Sequence, residues 1–345
     1  MRVVCRIIEE PDIYGKSYPY FYKDELTGTG MPKGEVIKVL GDVDSNDATM
    51  EGIMISHGLS SKFPKKVIEE TEKFSQHITD DEILKEIERG RLDIRDEVVV
   101  TIDGEDTKDI DDGLSIVQQG DITVLGVHIA DVAHYVKENS PLDREALERG
   151  TSVYLADRVI PMLPSVLSNN LCSLNPGKPR FALTARIGFD KDGNRVSFSV
   201  NESIVQSNDR LTYNQVFDLL SENEIKDNAI LKYKEMLLQI RNLSEKLRKK
   251  RFENGSIDFD FTETKLKLDA DKNVLDVYPE KSTFANHMIE ECMIACNEAV
   301  SKEFSEMKVP FIYRVHQKPD PDKFYNFTRV AKLLGEKIRL SEEPK

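Results

Sequence analysis

The run Thr101–Gly113 (Thr-Ile-Asp-Gly-Glu-Asp-Thr-Lys-Asp-Ile-Asp-Asp-Gly) places six carboxylates within ten residues, with Lys108 as the single cation among them. The apolar stretches Val98–Ile102 and Leu114–Val117 on either side predict strands, so the acids are held together rather than spread into solvent. Two like charges about 4 Å apart repel by roughly 1 kcal/mol in water and by roughly 4 kcal/mol at an effective dielectric constant near 20. A hard divalent cation with oxygen ligands is the usual compensation for such repulsion.

Magnesium is the cation that this pattern predicts. Asp103, Asp109, Asp111 and Asp112 are expected to converge where a strand breaks into a tight loop, and Asp109 and Asp111 alternate, so they point the same way in extended chain. Carboxylates that leave several waters in place suit magnesium. Two ions about 3.5–4 Å apart are a common arrangement for in-line phosphodiester hydrolysis. The sequence is compatible with one ion or with two.

Two other interpretations of the acidic run fit the sequence less well. An EF-hand loop requires oxygen ligands at its first, third and fifth positions and glycine at its sixth. With Gly113 as the sixth residue, the first would be Lys108 and the third Ile110, so that pattern fails. A solvated charge run is disfavoured because Ile110 lies inside it and apolar strands flank it on both sides.

The composition is that of an ordinary globular protein, and the length is sufficient for two or three domains. The chain has 345 residues, 39% of them hydrophobic and 32% charged, and a net charge of −14. That charge argues against wholesale coating of nucleic acid, but it does not exclude nucleic acid as a substrate. Four scattered cysteines, no signal-peptide pattern and no membrane-length apolar run predict a cytoplasmic protein without a membrane partner. Cys292 and Cys296 lie one helical turn apart, where small buried core residues are favoured over metal ligands.

The chain divides into three parts by its composition. Residues 1–62 predict a partial small β module of the OB or cold-shock type, in which residues 1–30 match no recognisable pattern. Residues 63–92 predict a helical connector, because Pro64 suits a helix start and Thr79–Glu82 forms a capping box. Residues 93–345 mix strands and helices without βαβ alternation, which predicts an α+β domain with a mixed or antiparallel sheet.

Periodicity and turn residues locate the main elements of that domain. Further strands are predicted at Ile122–Ile129, Phe181–Ile187, Val196–Val200 and Val309–Val315. A long helix is predicted to end at Asn254-Gly255, and its buried face carries Ile230, Tyr233, Leu237, Ile240 and Leu247. Its last turn contains the cations of residues 248–251, which are expected to interact with the helix dipole rather than with phosphate. Two more helices are predicted at 284–304 and 321–334. His128, in an alternating strand, is predicted to be structural.

The acidic run resembles the signature of the RNB exoribonucleases, the family of ribonuclease II and ribonuclease R, and the ribonuclease R type is the closer match. Further motifs of that family follow in the same order. They are Leu125–Ala133, Arg149–Tyr154, Pro161–Pro164, Leu167–Leu174, Arg210–Tyr213, Ile257–Phe259, Met288–Met293 and Tyr313–His316. The segment Gly34–Gly41 resembles the end of the family's second cold-shock domain.

The resemblance implies a magnesium-dependent, hydrolytic 3′→5′ exoribonuclease that releases 5′-nucleotides from single-stranded RNA. It implies that Asp103, Asp109, Asp111 and Asp112 are the catalytic and metal-binding residues. It also implies RNA-binding roles for Tyr154, Tyr213, Phe259 and Glu290. Stacking of bases on aromatic rings supplies roughly 1–3 kcal/mol per base and tolerates any sequence, which suits a non-specific degrader.

Several parts of the family pattern have no counterpart in this sequence. They are the first cold-shock domain, a Thr-Ser-Pro-Ile-Arg segment whose arginine approaches the scissile phosphate, and the S1 domain. The sequence therefore predicts an incomplete catalytic domain that is weakly active or inactive by itself. The alternatives are a non-catalytic metal- or RNA-binding remnant, or one half of an enzyme whose C-terminal half is encoded separately.

Overall fold

The structure is a computed structural model that describes residues 1–9, 33–221, 223, 228–257, 262–318 and 320–336. It divides into two compact units, Met1–Cys296 and Asn297–Lys345. The first unit contains the candidate site.

The N-terminal part of the first unit is a two-stranded sheet and a helix. Strands β1 (Arg2–Glu9) and β2 (Lys33–Gly41) pair antiparallel, and helix α1 (Asn46–Ser56) follows. Ser45 caps α1 by accepting a hydrogen bond from the Ala48 N–H. The residues described here do not form a closed barrel, so the OB-type assignment stays a prediction.

The predicted helical connector is present. Helices α2 (Lys65–Thr71) and α3 (Asp80–Glu88) lie where the sequence places them, with Pro64 as the residue before α2 rather than its first. The capping box of α3 forms as predicted, because the Thr79 hydroxyl accepts from the Glu82 N–H and the Glu82 carboxylate accepts from the Thr79 N–H at 2.8 Å. Gly90, at φ +103°, turns the chain away after the helix.

A seven-stranded mixed sheet forms the centre of the unit, as the predicted fold class requires. Its strands run in the order β11-β4-β5-β6-β9-β10-β3; only β11 with β4 and β10 with β3 pair in parallel. A separate short hairpin joins β7 and β8. The bounds are β3 Leu92–Asp93, β4 Val100–Asp103, β5 Asp112–Gln119, β6 Ile122–Ala130, β7 Val153–Tyr154, β8 Val159–Ile160, β9 Pro179–Phe189, β10 Arg195–Gln206 and β11 Asp209–Thr212.

Helices cover this sheet and connect its strands. Between β6 and β9 lie α4 (Val132–Tyr135), α5 (Pro141–Arg149) and a π-helical turn at Leu167–Leu171. After β11 come α6 (Tyr213–Leu220), a 3₁₀ turn at Asn228–Tyr233 and α7 (Lys234–Glu253). Helix α7 ends as predicted, with Asn254 as its cap and Gly255 at φ +97°.

The remaining elements are a hairpin and two helices. Strands β12 (Glu263–Leu268) and β13 (Val274–Glu280) pair antiparallel, and α8 (Phe284–Met307) and α9 (Pro321–Leu333) follow. No helix in the described part of the chain is long and apolar enough to cross a membrane.

The strand predicted at Val309–Val315 is wrong, because these residues have no regular secondary structure. An apolar stretch becomes a strand only when a partner edge supplies hydrogen bonds, and sequence patterns do not reveal the partner. Here the Phe311 ring instead stacks on Phe304 of α8, with ring centroids 4.6 Å apart.

A buried ion network attaches the connector to the sheet. Arg91 is 4% exposed, and its guanidinium donates to the carboxylates of Asp131 at 2.8 Å and Glu86 at 3.1 Å. It also donates to the backbone carbonyls of Ala182 and Ser203, both at 3.4 Å. A buried charge is tolerated only with such partners, so the network fixes α3 against the strand ends that lead to the candidate site.

We predict that Arg91→Ala lowers the free energy of unfolding by about 3–5 kcal/mol, because it leaves the buried acid Asp131 without its cation and Glu86 without its buried partner. Arg89→Ala is the matched control. Arg89 pairs with the same Glu86 at 2.7 Å, but its side chain is 76% exposed, so its loss should cost at most about 1 kcal/mol. Urea unfolding followed by circular dichroism measures both; equal losses for the two variants would contradict the prediction.

Candidate functional site

The four predicted aspartates lie at one break between strands. Asp103 is the last residue of β4, Asp112 is the first of β5, and Asp109 and Asp111 lie in the loop between them. Ile110 is 1% exposed and belongs to the hydrophobic core, so its two neighbours turn away from that core, as alternation in extended chain requires. One side of the loop therefore packs in the core through Ile110, and the other side carries the carboxylates.

The centre of this loop is fixed by the segment Leu167–Leu174. The Ser173 hydroxyl donates to the Lys108 carbonyl at 2.9 Å and accepts from the Ile110 N–H at 3.2 Å. The Leu174 N–H donates to the Ile110 carbonyl at 2.8 Å, and the Ala130 N–H donates to the Asp111 carbonyl at 2.9 Å. These bonds hold the backbone of the loop, so its aspartates stay close to one another.

Arg210 fixes the start of the loop from strand β11. Its guanidinium donates to the backbone carbonyls of Gly104 at 2.8 Å and Glu105 at 2.9 Å, and the Asn214 amide donates to the Glu105 carboxylate at 3.2 Å. Ser173 and Arg210 act on backbone atoms far along the chain, so no local spacing in the sequence indicates their roles. Their place within family motifs was the only signal that could have indicated them.

Gly113 gives the strands room to approach. A Cβ atom at this position would lie 3.1 Å from a methyl group of Val99 and 3.4 Å from one of Leu174. Its φ angle is not positive, so space rather than backbone freedom makes glycine necessary here.

The acids of this loop alter one another's ionisation. Burial, followed by the charge of Asp112, raises the pKa of Asp103 to about 6, with Arg210 acting in the opposite direction. Burial and the neighbouring Asp109 raise the pKa of Asp111 to about 6, and burial raises that of Asp112. Within the described residues no salt bridge neutralises any of the four aspartates.

The donor set fits a hard divalent cation. Four carboxylates supply only oxygen atoms, and Oδ2 of Asp103 is buried without a hydrogen-bond partner in the described structure. In the part of the chain described, however, no three Asp, Glu, His or Cys side chains form a group close enough to hold a metal ion. The aspartates are thus near enough to repel one another, but their described side chains do not converge as a coordination sphere.

Two of the predicted aromatic residues reach this cluster. The Tyr154 hydroxyl, on the β7–β8 hairpin, donates to Oδ2 of Asp109 at 2.8 Å, and this bond raises the pKa of Tyr154 to about 12. Tyr213, the first residue of α6, is partly buried, and burial together with the charges of Asp103 and Asp112 raises its pKa to about 12. Both tyrosines are neutral at physiological pH.

The other two predicted RNA-binding residues are not seen at the cluster. Phe259 lies outside the described residues. Glu290 is exposed on α8, where its carboxylate accepts from Arg251 of α7 at 3.1 Å, and no described contact joins it to the aspartates. The adjacent Glu291 is 2% exposed and pairs with both Arg248 and Arg251, so these cations bind side chains of α8 in addition to lying near the end of α7.

The remaining predictions for single residues are confirmed. His128 is fully buried between the hydroxyls of Ser115 and Thr184, both at 2.9 Å, and burial lowers its pKa to about 3, so it is a neutral structural residue. Cys292 and Cys296 are buried free thiols, as core residues should be.

Comparison with known proteins gives one consistent family. The RNB domain matches residues 91–343, more than half of the chain. Ribonuclease R of Thermotoga maritima is 39% identical over 318 residues, which cover 90% of this chain and 44% of that protein. The chain thus spans less than half the length of this relative.

Solved structures agree with the sequence match. The apo form of Mycoplasma genitalium RNase R superposes with a TM-score of 0.84 at 29% identity, covering 96% of this chain and 49% of that one. The same enzyme in complex with ribose-methylated single-stranded RNA gives a TM-score of 0.81 at 31% identity, covering 88% and 46%.

The raised pKa of Asp103 gives a prediction for stability. An aspartate has a pKa near 4 in an unfolded chain, so between about pH 4 and pH 6 the folded chain binds more protons than the unfolded one. The contribution of Asp103 to the free energy of unfolding should therefore fall as pH rises through this range and stay level above it, and comparison with a variant that lacks this carboxylate isolates that contribution. In EDTA at pH 7.5, Asp103→Asn should raise stability by about 1–2 kcal/mol after allowance for solvent screening, and the gain should disappear near pH 4.

Urea unfolding at the two pH values measures this effect. Asp106→Asn is the control, because Asp106 is an exposed acid of the same loop, and it should change little. A gain for Asp103→Asn that is the same at pH 4 and pH 7.5 would show that the carboxylate charge is not its cause.

Proposed function

The chain belongs to the RNB family, and from that premise we propose that it carries the catalytic centre of a magnesium-dependent, hydrolytic 3′→5′ exoribonuclease. Members of this family are hydrolytic exoribonucleases. The observation that carries the proposal is the fixed cluster of four aspartates, one with a buried unpartnered oxygen, next to two tyrosines. A solvated acidic loop would need neither the core anchor at Ile110 nor the bonds from Ser173.

The four aspartates divide between two tasks in this proposal. Asp103, Asp109 and Asp112 hold magnesium, and one or two ions are compatible with four carboxylates. When bound, magnesium supplies positive charge that offsets both the carboxylates and the phosphate of the substrate. Asp111 is the most exposed of the set, and its carboxylate places the attacking water against the scissile phosphate.

The substrate is the 3′ end of single-stranded RNA. Tyr154 is exposed beside Asp109 and the partly buried Tyr213 lies near Asp103 and Asp112, so both offer aromatic surface for terminal bases, with Phe259 as a further predicted partner. Stacking accepts any base, and contacts to the 2′-OH would select RNA over DNA. RNA bound to the related Mycoplasma enzyme supports this choice of substrate.

A second candidate is a non-catalytic metal- or RNA-binding protein. One observation favours it: Arg210, the cation whose charge acts on Asp103, is directed at backbone carbonyls rather than at the space in front of the aspartates. A charged transition state without a directed cation loses stabilisation. A separately encoded C-terminal half, predicted from the sequence, has no support among the comparisons, and the cytoplasmic location also stays a prediction.

Metal binding separates the proposal from a solvated loop. We predict that the chain binds Mn²⁺ or Mg²⁺ in calorimetry and that Asp109→Asn combined with Asp112→Asn weakens binding by at least about 100-fold, because each removes an anionic ligand from a cluster that needs a counter-ion. Asp106→Asn, in the same loop, should bind like the parent. Unchanged binding in the double variant would remove the cluster as a metal site.

Activity separates the enzyme from the binding protein. We predict that the chain shortens 5′-labelled poly(A) from its 3′ end only slowly in the presence of Mg²⁺, because Arg210 is directed at backbone carbonyls rather than at a phosphate, and that Asp111→Asn removes this shortening without weakening RNA binding in a filter assay. RNA and metal binding with no shortening would favour the second candidate. A parallel loss of RNA binding and cleavage in Asp111→Asn would contradict the role given to this residue.

A further inference from the structure

The hydroxyl and the ring of Tyr154 have different surroundings. Its hydroxyl is fixed by the 2.8 Å hydrogen bond to Oδ2 of Asp109, whereas the residue as a whole is 65% exposed. The ring faces are therefore open while the polar end is bound to a carboxylate of the candidate metal site. Stacking on a base requires only the ring, so it gives no reason for the hydroxyl to contact this acid.

The backbone holds this tyrosine in place. The β7–β8 turn closes with a hydrogen bond from the Leu155 N–H to the Arg158 carbonyl at 2.8 Å. Within the turn, the Asp157 carboxylate is 7% exposed and pairs with Arg158 and, at 3.3 Å, with Lys272 of the β12–β13 turn. Lys272 also pairs with Asp47 of α1 at 2.7 Å.

These contacts tie the hairpin to two other parts of the first unit, the N-terminal helix and the β12–β13 turn. A side chain on a hairpin anchored in this way reaches Asp109 from a fixed direction. Its hydroxyl can therefore fix the orientation of that carboxylate.

We propose that Tyr154 is a positioning residue for Asp109, and that its hydroxyl orients the carboxylate for the divalent cation independently of what the ring does for RNA. The inference rests on the proposed function, because it takes Asp109 as a metal ligand. The hydroxyl occupies one site on Oδ2 and leaves Oδ1 for the cation. Hydrogen-bond partners that orient a ligand typically change metal affinity by about 10- to 100-fold when they are removed.

Two variants of Tyr154 separate the hydroxyl from the ring. Tyr154→Phe keeps the ring and removes the hydroxyl, and Tyr154→Leu removes both. Both variants should weaken Mn²⁺ binding by the same factor, about tenfold, because only the hydroxyl acts on the metal site. Titration calorimetry and the electron paramagnetic resonance signal of free Mn²⁺ measure the dissociation constants. Thermal melting in EDTA checks that all variants fold.

A matched control removes the same kind of bond elsewhere. The Tyr233 hydroxyl donates to the Asp209 carboxylate at 2.6 Å, and Asp209 is not one of the candidate ligands. Tyr233→Phe should therefore leave the Mn²⁺ dissociation constant unchanged, even if it lowers the melting temperature. An equal loss of affinity in Tyr233→Phe would assign the effect to general loosening of the fold and overturn the proposal.

The remaining outcomes distinguish this inference from the proposed function. If the parent binds Mn²⁺, Asp109→Asn loses it and Tyr154→Phe binds as tightly as the parent or tighter, the positioning role is wrong and the metal site stands. Weaker binding in Tyr154→Leu alone would assign the effect to the ring and also overturn the inference. If the parent binds no Mn²⁺, or if Asp109→Asn binds normally, the metal site itself fails and the inference fails with it.

Discussion

Mutual repulsion among carboxylates that the fold does not allow to separate is the constraint on which this structure depends. In a free loop, Asp103, Asp109, Asp111 and Asp112 would move apart into water at little cost. Here Ile110 anchors the loop in the core, and burial together with the neighbouring carboxylates raises the pKa values of Asp103 and Asp111 to about 6. This retained repulsion is the physical reason for proposing a divalent cation at this place.

Much of the surrounding structure keeps that loop from relaxing. Three arginines support the loop and its surroundings: Arg210 donates to two loop carbonyls, Arg180 donates to the Ser173 carbonyl at 2.9 Å, and Arg91 holds the connector to the sheet. Guanidinium groups suit this task because several N–H donors point in fixed directions. Arg210 and Arg180 therefore donate to backbone carbonyls, and within the described residues the four aspartates of the loop form no salt bridge.

A net charge of −14 is compatible with the proposed RNA substrate if recognition depends on the local site rather than on overall charge. The sheet of this chain is common to RNB relatives, but a fold does not specify chemistry, and the function proposed here depends on the site. The candidate site combines acids with aromatic side chains from distant parts of the chain, Tyr154 from a hairpin after α5 and Tyr213 from the start of α6. In the proposed function, base stacking and a metal ion supply part of the attraction that positive side chains would otherwise provide.

The sequence by itself determined the features that depend on near neighbours: the acidic run between strands, the capping box at Thr79, the end of α7 at Gly255 and the mixed α+β character. Alternation, caps and turns are set by residues a few positions apart, so one sequence reveals them. Only the tertiary structure decided that Tyr154 reaches Asp109 across 45 positions, that Arg210 holds Gly104 across 106, and that Val309–Val315 is not a strand. These outcomes depend on which distant segments meet across the sheet, and no local spacing specifies that.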